Sequence, residues 1–273
     1  MSPRIAVLQF PGVNGEDEAA RAIQRVGLEA GIVRWNAPPA SLAAYDGYLL
    51  PGGFSWQDRV RAGALAAKSP LMDVLATEAE RGKPVLGLCN GAQVLVEAGL
   101  VPGAGEVQLA LAANRMPERT GYHARWIEVR VERSNCLFTR HLEPGTVVPM
   151  PVAHGEGRFT GRTAGTVERL LADGCVPLRY AGPDGGPAEQ FPDNPNGSEA
   201  AAAGVCNAAG NVLAMMPHPE RAQDLGQMAR ALGGPWSDAR DAWQAAGGTN
   251  EPGGPGLVVF EGLARHLGVG VTA

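Results

Sequence analysis

Five residues in the first half of the chain, Gly87-Leu88-Cys89-Asn90-Gly91, restrict the possible folds more than any other stretch. Residues 84–88 form a short apolar run suited to a buried strand. From Ala92 onward the residue types and spacing are those of a helix, so the chain must turn sharply at Cys89. Backbone on such an elbow is strained and neighbouring chains pass close by, which demands small residues two positions to either side of the central one. Gly87 and Gly91 meet that demand. At the helix N-terminus Cys89 would lie among unbonded N–H groups and at the positive end of the dipole, and both favour thiolate over thiol. Cys89 is therefore a candidate nucleophile. An inert cysteine closing a buried strand would leave the same spacing, so other stretches must decide.

Read in order, residues 4–10 give a first strand, and Pro11-Gly12-Val13-Asn14-Gly15 the loop at its end. A helix follows, with Glu16, Asp17 and Glu18 suited to its first turn, Ala22, Ile23 and Val26 as an apolar stripe, and Gly27 placed to stop it. Further strands are expected at 31–35 and 46–50, the latter ending in Pro51-Gly52-Gly53-Phe54. A mostly helical stretch over 58–81 leads into the elbow strand. This alternation predicts an α/β fold with a flavodoxin-like, doubly wound, mostly parallel sheet. Ligands collect at the carboxyl ends of the strands in such sheets, where Pro11-Gly12, Gly52-Gly53 and Cys89 all fall. After Gly99 the pattern changes. Residues 123–131 alternate, 146–152 supply a candidate antiparallel neighbour, and together they predict a β-rich extension of the same domain. His154, Glu156 and Arg158 then fall in a Gly-rich turn, and 183–198 is loop by composition. Val205 and residues 212–216 read as returning strands, the second running into Pro217-His218-Pro219-Glu220-Arg221. The expected organisation is one domain over 1–273, with a Gly- and Pro-containing insertion at about 222–256 before a final helix at 257–267.

Composition removes several function classes. With 273 residues, 45% of them hydrophobic, the chain can bury a full core. A formal charge of −5 without a dense Lys/Arg cluster argues against a nucleic-acid surface. No run approaches a membrane span, and the apolar run at 5–10 is too short for a signal peptide, so a cytoplasmic protein is expected. Cys89, Cys136, Cys175 and Cys206 are widely spaced, without a Cys-x-x-Cys pair. That spacing disfavours a zinc site and leaves reduced thiols. Asn196-Gly197-Ser198 has glycosylation spacing but in this setting reads as a turn.

His218 and Glu220 flank a proline that pushes His218 towards extended backbone, where alternate side chains share a face. A carboxylate so placed could fix the imidazole tautomer and leave the other ring nitrogen to deprotonate Cys89 and later protonate a leaving amine. A surface His-Pro-Glu turn would have the same spacing. The order Gly52-Gly53, Cys89, His218-Pro219-Glu220 resembles a class I, triad-type glutamine amidotransferase. More specifically, Gln9-Phe10-Pro11-Gly12-Val13-Asn14, Leu50-Pro51-Gly52-Gly53-Phe54-Ser55, the elbow, Pro151-Val152-Ala153-His154-Gly155-Glu156-Gly157-Arg158 and Asn194-Pro195-Asn196-Gly197-Ser198 resemble the glutaminase subunit family of phosphoribosylformylglycinamidine synthase.

The resemblance implies Cys89 as nucleophile, His218 as base and acid, and Glu220 as its orienter. It also implies an oxyanion hole from backbone N–H groups near Gly53 and Asn90, beside Gly52, with Gln93 next to the substrate. His154 and Arg158 are implied near the face that meets the synthase subunit. The implied substrate is glutamine. Its ammonia would pass to a synthase partner, with a small accessory subunit as a further expected component, for ATP-dependent conversion of formylglycinamide ribonucleotide to formylglycinamidine ribonucleotide in purine biosynthesis. No Gly-x-x-x-x-Gly-Lys-Ser/Thr loop occurs in the chain, so ATP and Mg are expected on the partner and no cofactor or metal here. Two departures stand out: Ala92 where the family usually has an aromatic, and the long 222–256 stretch. The rival readings are a glutaminase for another synthetase, a stand-alone cysteine hydrolase, and a non-catalytic flavodoxin-like binding protein that keeps the elbow as scaffold.

Overall fold

A computed structural model describes residues 2–103 and 105–270 of the chain. Strands β1 (Arg4–Gln9), β2 (Glu29–Arg34), β3 (Gly47–Leu50) and β4 (Val85–Leu88) alternate with helices α1 (Glu16–Arg25), α2 (Pro70–Glu80) and α3 (Asn90–Glu97). Next come β5 (Leu109–Ala112), β6 (His123–Val131), β7 (Val147–His154), β8 (Arg158–Gly161), α4 (Thr166–Ala172), β9 (Leu178–Ala181), β10 (Ala202–Cys206) and β11 (Val212–Met215). Helices α5 (Pro235–Ala245) and α6 (Leu257–His266) close the chain. Nine strands form one sheet in the order β2-β1-β3-β4-β11-β10-β9-β6-β7. The first five pair in parallel and the rest antiparallel. Strands β5 and β8 make a separate antiparallel ribbon.

Strand periodicity divides the core between the two faces. Ile5 and Val7 of β1 pack with Ala19, Ala22 and Ile23 of α1 and with Phe260 and Leu263 of α6. Ala6 and Leu8 face the other way, with Leu71 and Leu75 of α2 and Val94 and Leu95 of α3. A run such as Ile5-Ala6-Val7-Leu8 is apolar at every position because both of its faces are covered. The β-rich part is continuous with the main sheet. A turn at Asn207–Gly210 reverses the chain between β10 and β11, with Gly210 N–H donating to Asn207 O at 2.9 Å, and β9, β6 and β7 add antiparallel beyond β10.

The mostly helical stretch expected over 58–81 is helical in two separate pieces. Only Ala66–Lys68 as a 3-10 turn and α2 are helical after Asp58. Ser69 caps α2, accepting from Leu71 N–H, and Pro70 takes the first helical position, where its missing N–H costs nothing. The 222–256 stretch leaves and re-enters at one point: Gly256 N–H donates to Ala222 O at 2.7 Å, and Gly254 N–H to Gln223 O at 2.8 Å. It contains α5, whose Arg240 is buried and donates to Ala229 O at 2.8 Å. An ion pair between Asp224 and Arg25 ties it to α1.

Candidate active site

Cys89 occupies the turn from β4 to α3 with φ 49° and ψ −103°, a conformation a non-glycine residue holds only when its surroundings enforce it. Those surroundings are specific. Cys89 N–H donates to Met215 O at 2.8 Å, which fixes the elbow against β11. A Cβ on Gly91 would collide with the Leu50 carbonyl, so the first turn of α3 can lie on the end of β3 only with glycine there. Ala92 behind it is fully buried and packs among the aliphatic side chains on that face of the sheet. Cys89 is 6% exposed, and its sulfur lies 3.6 Å from Ala153 O.

His218 and Glu220 meet the elbow from the end of β11. His218 (φ −106°, ψ 83°) falls short of the expected extended conformation, and Pro219 then opens a 3-10 turn instead of continuing as strand. The two side chains still converge, with His218 Nδ1 at 2.6 Å from Glu220 Oε1 and both residues buried. Burial alone would strip the imidazole of its proton. The Glu220 carboxylate and the Cys89 sulfur outweigh it and push the His218 pKa up to about 10. The other ring nitrogen, Nε2, has no formed hydrogen bond, the loose geometry common before substrate binds. Gly52 closes the group: a Cβ there would lie 2.8 Å from His218 Cε1 and 3.6 Å from Cys89 Cβ.

The backbone near Gly53 has N–H groups to spare. An antiparallel bridge joins Val13 and Gly53, with Phe54 N–H bonded to Gly12 O and Asn14 N–H to Gly52 O. That pairing leaves the Gly53 N–H outside it. Gly53 has φ 142°, and a Cβ on it would sit 2.6 Å from Val13 Cα, so only glycine serves. Asn90 begins α3, and the helix holds no carbonyl partner for its N–H. The side chains of Asn90 and Gln93 are already engaged. Asn90 Oδ1 accepts from Ser55 N–H at 3.0 Å, so Nδ2 is the donor to Asp58 Oδ1 (3.1 Å) and Gln93 Oε1 (2.9 Å). Gln93 Nε2 donates to Glu156 O at 2.6 Å.

A cavity of about 180 Å³ is lined by Cys89, His218, Gly53, Gln93, Asp58, His154, Glu156 and Arg221, together with the exposed Phe54 and Tyr122. His154 lies in the wall of this cavity, at 3% exposure. Its neighbour Asn114 donates through Nδ2 to His154 O (2.7 Å) and Gly121 O (3.0 Å). Asn114 Oδ1 is thereby an acceptor, 3.1 Å from His154 Nδ1, which must carry the proton. Burial and the nearby charge of His218 push the His154 pKa down to about 3, so the ring is neutral. Arg158 reaches solvent, its Nε donating to Ala113 O at 3.1 Å. Sequence reading missed Asp58 and Asn114, neither of which lies in a recognisable pattern, and Tyr122.

A family profile described as a CobB/CobQ-like glutamine amidotransferase domain matches residues 2–246. The chain is 42% identical over 272 residues to phosphoribosylformylglycinamidine synthase subunit PurQ of Methanothrix thermoacetophila, covering 97% of this chain and 98% of that protein. The chain belongs to the PurQ family of glutamine amidotransferases. To the PurQ subunit of Thermus thermophilus it is 45% identical over 222 residues, covering 81% of this chain and 90% of that one. The Methanothrix alignment thus runs through the 222–256 stretch, whereas the Thermus one is shorter. Among solved structures, PurLQS from Thermotoga maritima superposes with a TM-score of 0.73 at 31% identity, over 98% of this chain and 100% of that one. A Trypanosoma brucei CTPS glutaminase domain with bound acivicin, at TM-score 0.54 and 15% identity, shares the fold. Among the described residues no group of three or more His, Cys, Asp or Glu could hold a metal, and no helix is long and apolar enough to cross a membrane.

Proposed function

We infer that this chain is the glutaminase subunit of a phosphoribosylformylglycinamidine synthase. It hydrolyses glutamine to glutamate and supplies the ammonia to a synthase subunit for conversion of formylglycinamide ribonucleotide to formylglycinamidine ribonucleotide. The observation that carries the reading is Cys89 on its strained elbow, sharing a cavity with His218 of the buried His218–Glu220 pair, in a chain of this family. The Cys89 sulfur, its proton passed to His218, attacks the side-chain amide carbon of glutamine. The N–H groups of Gly53 and Asn90 are suited to the oxyanion that forms, and one such donor is worth about 10²–10³ in rate. The intermediate collapses as His218 protonates the amide nitrogen, which leaves as ammonia, and a γ-glutamyl thioester remains on Cys89. Water, deprotonated by His218, then attacks the thioester carbon, releasing glutamate and the thiol. Glu220 holds His218 Nδ1–H throughout and stabilises the imidazolium.

ATP and magnesium are assigned to the synthase subunit, and this chain to the cytoplasm, a setting its four free cysteines fit. The test is Cys89→Ala in the reconstituted complex. Glutamine-dependent synthesis should disappear while synthesis from added ammonium persists. Retention of glutamine use near the wild-type rate would remove Cys89 from the mechanism.

A further inference from the structure

Between the elbow and the cavity rim lies a run of backbone with no ordinary reason to exist. Trp56 (φ 55°, ψ 29°), Gln57 (φ 60°, ψ 28°) and Asp58 (φ 51°) are three successive left-handed residues, none of them glycine. L-residues visit that region singly, because each pays a steric cost between Cβ and the carbonyl oxygen. The result of the detour is that Asp58 lines the cavity holding Cys89, as Glu156 does. Both carboxylate-bearing segments are tied to α3 by one amide relay: Asp58 Oδ1 to Asn90 Nδ2, Asn90 Nδ2 to Gln93 Oε1, and Gln93 Nε2 to Glu156 O. The relay spends the side chains of Asn90 and Gln93 on placing these two acids.

We propose that Asp58 and Glu156 receive the α-ammonium group of glutamine and so select a free amino acid over other carboxamides. This deepens the glutaminase reading and rests on it. Among the described residues neither carboxylate has a Lys or Arg within 4.0 Å. Asp58 is held above the usual carboxylate range by burial and then by the charge of Glu156, a repulsion that a cation bound near both relieves. A second observation points to a ligand bearing N–H groups. The His154 ring in the same wall carries its proton on Nδ1, so Nε2 is an acceptor, buried and without a partner among the described residues. The cavity, at about 180 Å³, is smaller than the roughly 300–1,000 Å³ of drug-sized ligand sites, as befits a single amino acid.

The experiment compares glutamine with glutaramate, which is glutamine without its α-amino group, as substrates of the reconstituted complex carrying wild-type chain, Asp58→Asn or Glu156→Gln. Each substitution keeps shape and removes charge. A charge-assisted bond predicts that each raises KM for glutamine by about 10- to 100-fold, with little change in kcat and no loss on glutaramate. Synthesis from ammonium reports on folding and assembly. Unchanged KM in both variants would overturn the proposal, as would equal losses on glutamine and glutaramate, which mark structural damage instead of ammonium recognition. Wild-type chain unable to hydrolyse glutamine would instead overturn the glutaminase reading itself, a distinct outcome.

Discussion

Replacing Gly52 with alanine tests how tightly the site is built, because the added methyl group touches the site and little else. The Gly52 backbone is not left-handed, so alanine can adopt it. Its Cβ would stand 2.8 Å from His218 Cε1 and 3.4 Å from Nδ1. Carbon atoms in contact rest at about 3.5–4.0 Å, so ring and strand must separate by about 0.7 Å or more. The strand cannot retreat freely, since Gly52 O accepts from both Asn14 and Gly15 N–H at 3.2 Å. The ring is held by Glu220 at 2.6 Å, and swinging it aside moves Nε2 relative to Cys89. Misplacement approaching 1 Å costs about 10² in rate, or about 2.7 kcal/mol of barrier. The assay is glutamine-dependent against ammonium-dependent synthesis in the reconstituted complex, the second controlling for the roughly 1–3 kcal/mol that overpacking takes from stability. Gly52→Ala turning over glutamine at the wild-type rate would refute the claim that His218 works from the position it occupies here.

Glu220→Gln should lower glutamine turnover severely without abolishing it, since the corresponding change in a serine protease triad costs about 10⁴; steady-state rates equal to wild type would make Glu220 a bystander. The two buried histidines bend stability with pH in opposite senses. His218 stands at about 10 in the fold against about 6.5 unfolded, so its contribution is complete below about 6.5 and is lost as pH climbs towards 10. Urea midpoints should fall over that window and fall less in Glu220→Gln; midpoints that hold constant to pH 10 would contradict it. His154 stands at about 3, so the unfolded ring takes a proton near 6.5 that the folded ring refuses, and stability is lost as pH drops from 6.5 towards 3. His154→Asn should flatten that acid limb, and an unaltered limb would show that His154 does not titrate in this way. Gly157→Ala should act on the same ring, because a Cβ there collides with the His154 imidazole; a stability matching wild type would show that the ring can move aside.

The parts of the site that sequence exposed are those set by local rules. An elbow needs glycine two residues away on each side, and the Gly91–Leu50 contact shows the steric reason. A proline between His218 and Glu220 leaves few backbone paths, and the two side chains meet even though the chain beyond His218 curls into a 3-10 turn. The Ser69-Pro70 start of α2 was equally legible, as a cap followed by an N-terminal proline, and reading 58–81 as mostly helical did not mark it. The left-handed run at Trp56–Asp58 could not be read locally, because local rules assign positive φ to glycine and this run has none. It is held from outside. Trp56 N–H donates to Pro11 O, the Trp56 ring meets Trp35 edge to face at 5.2 Å, and Asn90 grips both Ser55 and Asp58. The contrast follows from what each half of the site must do. Presenting a nucleophile is a property of one elbow and leaves a pattern of five residues. Placing two carboxylates around a ligand's charge depends on loops 32 and 63 residues away from the amides that hold them. Contacts of that kind leave isolated residues such as Asp58, which become recognisable only once the chain is folded.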